Sequence, residues 1–135
     1  MNERITDDLE HLVEAAREAR TYAYAPYSKF SVGAAVLAGG RIFTGANVEN
    51  ASYPLGICAE RAAVAAAVTA GERTIDAVAV VGSGEDITPP CGGCRQVLNE
   101  FGPAMVVIAE SPGGKRRRWT LSDLLPDAFG PGSLG

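Results

Sequence analysis

Basic charge is scarce in this chain. Its 135 residues carry 12 lysine and arginine side chains against 16 acidic ones, a formal net charge of -4. Nucleic-acid binders usually present a basic face, so this balance argues against a polyanionic partner. Long apolar runs are absent too: none approaches the roughly 18 residues that span a bilayer. The first residues, MNERITDDLEHL, are charged and contain no signal-peptide core, which points to the cytoplasm. Thiols stay reduced there, so an odd set of three cysteines reads as ligands or a nucleophile, not as a disulfide framework. Histidine is nearly missing. His11 lies beside Glu10 in a polar N-terminal stretch and is expected at the surface. No repeat, linker or low-complexity block divides the chain, and its length fits a single domain over residues 1–135.

What is present reads as alternating helices and strands. Thr6 is placed to cap a first helix with Leu9, Leu12, Val13, Ala16 and Ala19 on one face. FSVGAAVLA and RIFTGANV, joined by two glycines, form an expected hairpin. CAERAAVAAAVTAG is an alanine-rich helix stopped at Gly71. IDAVAVVG and AMVVIAE are short apolar runs suited to buried strands. Another helix starts after Pro90, and RWTLSDLLP supplies a last strand and a short helix. The run Lys115–Arg118 is expected at a solvated hairpin edge. The order predicts an α/β sheet covered by helices.

Two cysteines, Cys91 and Cys94, stand at C-x-x-C spacing in PPCGGCRQVL, and the third, Cys58, opens the alanine-rich helix. All three therefore sit at or beside helix N-termini, where free N–H groups and the helix dipole favour thiolate. Three thiolates repel one another unless a cation holds them, and Zn²⁺ does so tetrahedrally. With only three protein ligands in view, a fourth position is left for water, which makes the site hydrolytic. Glu60, two residues after Cys58, can share that cavity and shuttle a proton. The alternative for Glu60 is a simple first-turn acid. A redox C-x-x-C pair would leave Cys58 unexplained, and three merely buried cysteines would leave the clustering unexplained.

The set C-A-E-R, followed by P-C-x-x-C, resembles the zinc-dependent cytidine deaminases. YAPYSKFSVGAAV, TGANVENASYPLGICAERAA and the tail LLPDAFGP resemble their small, homotetrameric, free-nucleoside branch, over roughly Ala16 to Leu134. The resemblance implies a three-layer α-β-α sandwich with a five-stranded mixed sheet. It implies one zinc per chain on Cys58, Cys91 and Cys94, with Glu60 as proton shuttle and Arg61 hydrogen-bonded to the thiolates. It further implies that the Ala59 N–H and a carbonyl at or near Ser52 hold the pyrimidine edge. Asn47 and Glu49 would bind the ribose hydroxyls, and Phe30 would pack on the nucleoside. Tyr53 and Phe129 would reach a site across a subunit interface. Alone, Asn47 and Glu49 read equally as a turn residue and a solvated charge, and Phe30 as core. Pro54 and Gly56 depart from many relatives. The implied reaction is hydrolytic deamination of cytidine and 2′-deoxycytidine, in pyrimidine salvage. Its rivals are a blasticidin-S-type deaminase, a polynucleotide editor, and a non-catalytic zinc-stabilised binding module.

Overall fold

The computed structural model of the protein describes residues 3–134. A five-stranded sheet runs in the order β2-β1-β3-β4-β5. Its strands are β1 (Val32–Ala38), β2 (Arg41–Ala46), β3 (Ala77–Gly82), β4 (Val106–Glu110) and β5 (Arg116–Thr120). β3 and β4 pair in parallel, and the other neighbours are antiparallel, so the sheet is mixed as expected. Gly39 and Gly40 join β1 to β2 with φ of 59° and 76°, the pair of left-handed residues that a tight two-residue hairpin requires. β3 is buried at every position because helices cover both faces of the sheet.

Helix α1 (Glu3–Arg20) supplies one outer layer. Leu9, Leu12, Val13 and Ala16 pack on Ala35, Ala79, Val81 and Ile108. Thr6 lies within this span, and its side chain, expected as a cap, is outside the described residues. Helices α2 (Ala59–Thr69) and α3 (Gly92–Asn99) supply the other layer, with Ala63, Val64, Ala67 and Leu98 against Ala34, Val36, Val78, Val80 and Val107. Gly71, at φ 101°, follows the C-terminal end of α2. Among the described residues no helix is long and apolar enough to cross a membrane.

Small residues let the layers approach closely. A Cβ on Gly33 would lie 2.0 Å from the Ala16 carbonyl oxygen, and one on Gly45 would lie 2.5 Å from both the Ala59 oxygen and the Ala63 nitrogen. Gly33 and Gly45 occupy neighbouring rungs of the hairpin and serve opposite faces. They seat α1 and α2 on backbone rather than on side chains.

The basic run lies at an exposed hairpin edge, as expected. Arg116 to Arg118 lie in edge strand β5, and the α4 turn (Leu121–Leu124) follows. Arg116 and Arg17 both bond the buried carboxylate of Glu110, and Arg116 also holds Glu10. This network ties α1 to the β4–β5 hairpin.

Candidate active site

Strands β2 and β3 point the same way, since each is antiparallel to β1. The chain leaving their carboxyl ends leads to α2 and α3, so both helix N-termini open beyond one edge of the sheet. Cys58 is the N-cap of α2 and Cys91 the N-cap of α3, both with extended backbone. Cys94 lies in the first turn of α3. The three sulfurs all lie within 4.8 Å of one another. Tetrahedral zinc with Zn–S bonds of about 2.3 Å needs sulfurs about 3.8 Å apart, which small rotamer adjustments supply. Among the described residues this trio is the group of His, Cys, Asp and Glu side chains that could hold a metal. His11 is exposed on α1, as expected, and is not part of it.

The electrostatics favour a cation. Burial raises the Cys58 thiol, and nearby Cys91 and Glu60 raise it further. Burial and the charge of Glu60 push Cys94 far above the thiol range. Cys91 moves the other way, because the backbone N–H of Cys94 lowers it. Two reluctant thiols and one willing one can ionise together only around positive charge. The donor set therefore fits zinc. Glu60 is only 4% exposed, and burial raises its carboxyl above the usual range.

A cavity of about 350 Å³ opens beside these groups. Cys58, Ala59, Glu60 and Cys91 line it together with Thr88, Pro89, Asn47, Glu49 and Tyr53. The Ala59 N–H belongs to the first turn of α2 and has no partner within the helix. Asn47 doubles as a latch: its Oδ1 accepts from the Val32 N–H at 2.8 Å, and its Nδ2 donates to the Phe30 carbonyl at 2.9 Å. The strand 47–49 is pinned by backbone bonds to Tyr24 on one side and Ile57 on the other.

Glu49 is more committed than the sequence suggests. Its Oε1 accepts the N–H groups of Tyr27 and Ser28 at 3.0 and 3.1 Å, and its Oε2 accepts the Ser28 hydroxyl. The Ser28 hydroxyl is the main reason its carboxyl sits below the usual range, with the Ser28 and Tyr27 N–H groups adding to it. A carboxylate offers about four lone-pair sites, so one remains for a substrate donor.

Phe30, Ser52, Arg61 and Phe129 lie outside the cavity lining, whereas Tyr53 and Gly56 belong to it. The Phe30 ring rests against Gly82 and Gly84, where an added Cβ would come within 3.2 Å of it, and Phe30 is not among the cavity's lining residues. Arg61 is exposed on α2 and makes no hydrogen bond to the cysteines among the described residues. Arg95 braces the metal loop instead, donating to the Pro90 and Leu124 carbonyls at 2.8 and 3.0 Å. The Ser52 carbonyl already accepts the Leu55 N–H. Tyr53 is 74% exposed, and its ring lies 6.0 Å from that of Tyr27. Phe129 also projects into solvent, while its carbonyl is held by Gln96 at 2.7 Å. Gly56 has φ -64°, so its backbone does not require glycine, and Pro54 is the second residue of the short 3-10 turn at Tyr53–Leu55. Ser28, Arg95 and Gln96 were not singled out by the sequence reading; their partners are backbone groups or distant residues, which leave no local pattern.

Comparison with known proteins agrees with this geometry. Residues 6–110 match the family model described as the cytidine and deoxycytidylate deaminase zinc-binding region. The chain is 46% identical over 124 residues to the cytidine deaminase of Sporosarcina psychrophila, covering 90% of this chain and 91% of that one. It is 49% identical over 116 residues to a cytidine deaminase of Mycobacterium tuberculosis, covering 85% and 84%. The crystal structure of the Burkholderia pseudomallei cytidine deaminase superposes with a TM-score of 0.86 at 47% identity, covering 96% of this chain and all of that one. Three sulfurs at two helix N-termini, a buried glutamate beside them and this likeness along nearly the whole chain establish that the protein belongs to the zinc-binding cytidine and deoxycytidylate deaminase family.

Proposed function

We propose that the chain converts cytidine and 2′-deoxycytidine, with water, to uridine and 2′-deoxyuridine plus ammonia. The observation that carries this reading is the buried Glu60 carboxyl beside the three-cysteine group, in a cavity that Asn47 and Glu49 also line. Cys58, Cys91 and Cys94 would hold one zinc per chain, and bound zinc supplies a water acidified toward pH 7, the chemistry general to zinc deaminases.

The protein's own groups do the rest. The raised pKa of Glu60 brings a carboxyl closer to neutrality, where it both accepts and returns a proton. Glu60 would take one proton from the water and pass it to ring N3 as the water oxygen bonds to C4; it would then take the second proton from the new C4 hydroxyl and give it to the amino nitrogen, so that the C4–N bond breaks and ammonia leaves. The free Ala59 N–H donates to the pyrimidine edge. Glu49 receives a sugar hydroxyl and, being ionised, repels a 5′-phosphate. The volume of about 350 Å³ suits a small ligand. The net charge of -4 disfavours a polynucleotide, and the names of the relatives support a cytidine substrate over a blasticidin-type one.

The chain acts as a single domain, in the cytoplasm and in pyrimidine salvage. Exposed Tyr53 and Phe129 support a homotetramer in which each site borrows aromatic rings from a neighbour. Glu60→Ala tests the division of labour. Uridine formation should fall by about 10²–10⁴-fold, while zinc per chain stays at the wild-type level. Loss of zinc in that variant would contradict the assignment of Glu60 as a proton carrier rather than a ligand.

A further inference from the structure

We infer that Ser28 is a positioning residue for the sugar of the substrate, acting through Glu49. This rests on the reading of Glu49 as the acceptor of a sugar hydroxyl. The Ser28 hydroxyl donates to Glu49 Oε2 and accepts the Phe30 N–H at 3.0 Å. Both its proton and a lone pair are therefore committed, and the rotor is fixed. The intervening residue, Lys29, is held at φ 61°, a left-handed conformation that an L side chain rarely adopts. Such a turn persists where its surroundings over-determine it. Here the turn aims three donors, the N–H groups of Tyr27 and Ser28 and the Ser28 hydroxyl, at one carboxylate 21 or 22 residues away.

The backbone of the 47–49 strand is already pinned by Tyr24 and Ile57, so the part of Glu49 left to fix is its side chain. The two N–H groups hold Oε1. The Ser28 hydroxyl alone holds Oε2, which has the lone pair still open toward a ligand. Without that hydroxyl the carboxylate can turn about its Oε1 contacts, and the acceptor for the sugar loses its fixed direction. The interaction is with the bound sugar in ground state and transition state alike, so its loss raises KM and leaves kcat nearly unchanged.

The test uses zinc-loaded, full-length protein and steady-state cytidine turnover. Ser28→Ala should raise KM about tenfold, with kcat within about twofold. Ser28→Thr keeps the hydroxyl and should return KM to within about threefold of wild type. Glu49→Gln should impair KM by itself, and adding Ser28→Ala to it should cost nothing more, because both changes remove one unit. The inference is overturned if Ser28→Ala matches wild type while Glu49→Gln is impaired. It is equally overturned if the two effects multiply, or if the alanine variant loses zinc and kcat together and threonine does not restore them. A Glu49→Gln protein with wild-type kinetics would instead overturn the role of Glu49, and the inference with it.

Discussion

Replacing Gly45 by alanine should displace the helix that carries the chemistry. A Cβ there would stand 2.5 Å from the Ala59 oxygen and the Ala63 nitrogen, and 2.8 Å from the Ala62 Cβ. The first two are backbone atoms of α2, so no side chain can swing away. Ordinary contact starts at 3.4 Å, so α2 must retreat by about 0.9 Å along its first turns. Those turns hold Cys58 and Glu60. Overpacking of this kind costs about 1–3 kcal/mol, which for a chain of this size lowers the melting temperature by about 4–12 °C. The catalytic cost is larger: a shift of about 1 Å in a reacting group costs about a hundredfold in rate. Differential scanning calorimetry and cytidine turnover on the zinc-loaded variant read the two numbers. Gly93→Ala is a fitting control, because a Cβ there meets nothing within 4 Å and alanine favours the helix. If Gly45→Ala melted and turned over like wild type, the close approach of β2 and α2 would not be what seats the site.

Two further outcomes follow from the same structure. Cys94→Ala removes the most buried of the three sulfurs and should abolish stoichiometric zinc, measured by metal analysis after dialysis, because two thiolates do not close the site. Arg116→Ala should cost about 1–2 kcal/mol at pH 7, since Arg17 still partners the buried Glu110 carboxylate and Arg116 is itself one-third exposed. Burial works against the Glu110 charge, but hydrogen bonds from Arg116 and Arg17 outweigh it and hold the carboxyl below its usual range. Its stabilisation is therefore complete above the unfolded value of about 4.3 and is lost as pH falls through the lower folded value. Thermal melts from pH 7 to pH 2 should show an acid limb that Arg116→Ala flattens.

Much of the site was legible because its chemistry is carried by rare residues at short spacings. Three cysteines, each beside a helix start, and a glutamate in the first turn of α2 leave few readings, and the structure brings all three sulfurs together. The hairpin showed itself through its two glycines, and β3 through its unbroken apolar run. What stayed hidden depends on register across long separations. Glu10 and Arg116 meet across 106 residues, so the basic run could not be recognised as an inter-layer clamp. Ser28 reaches Glu49 through a turn strained at Lys29, a conformation that no propensity of lysine announces. The purpose of Gly33 and Gly45 appears only where the helices cross them. Phe30, expected to pack on the nucleoside, touches Gly82 and Gly84 and keeps 37% of its surface exposed. Tyr53 and Phe129 are both exposed, Tyr53 on the lining of its own chain's cavity and Phe129 outside it.

The central claim is that this cavity hydrolyses the C4–amino bond of cytidine. The most direct measurement is the loss of absorbance in the cytidine band with protein carrying one zinc per chain, checked against ammonia released in the same tube. The account predicts turnover with one ammonia per uridine formed, and none from protein stripped of zinc. Zinc-loaded protein that binds cytidine or ignores it, and releases no ammonia, would contradict it.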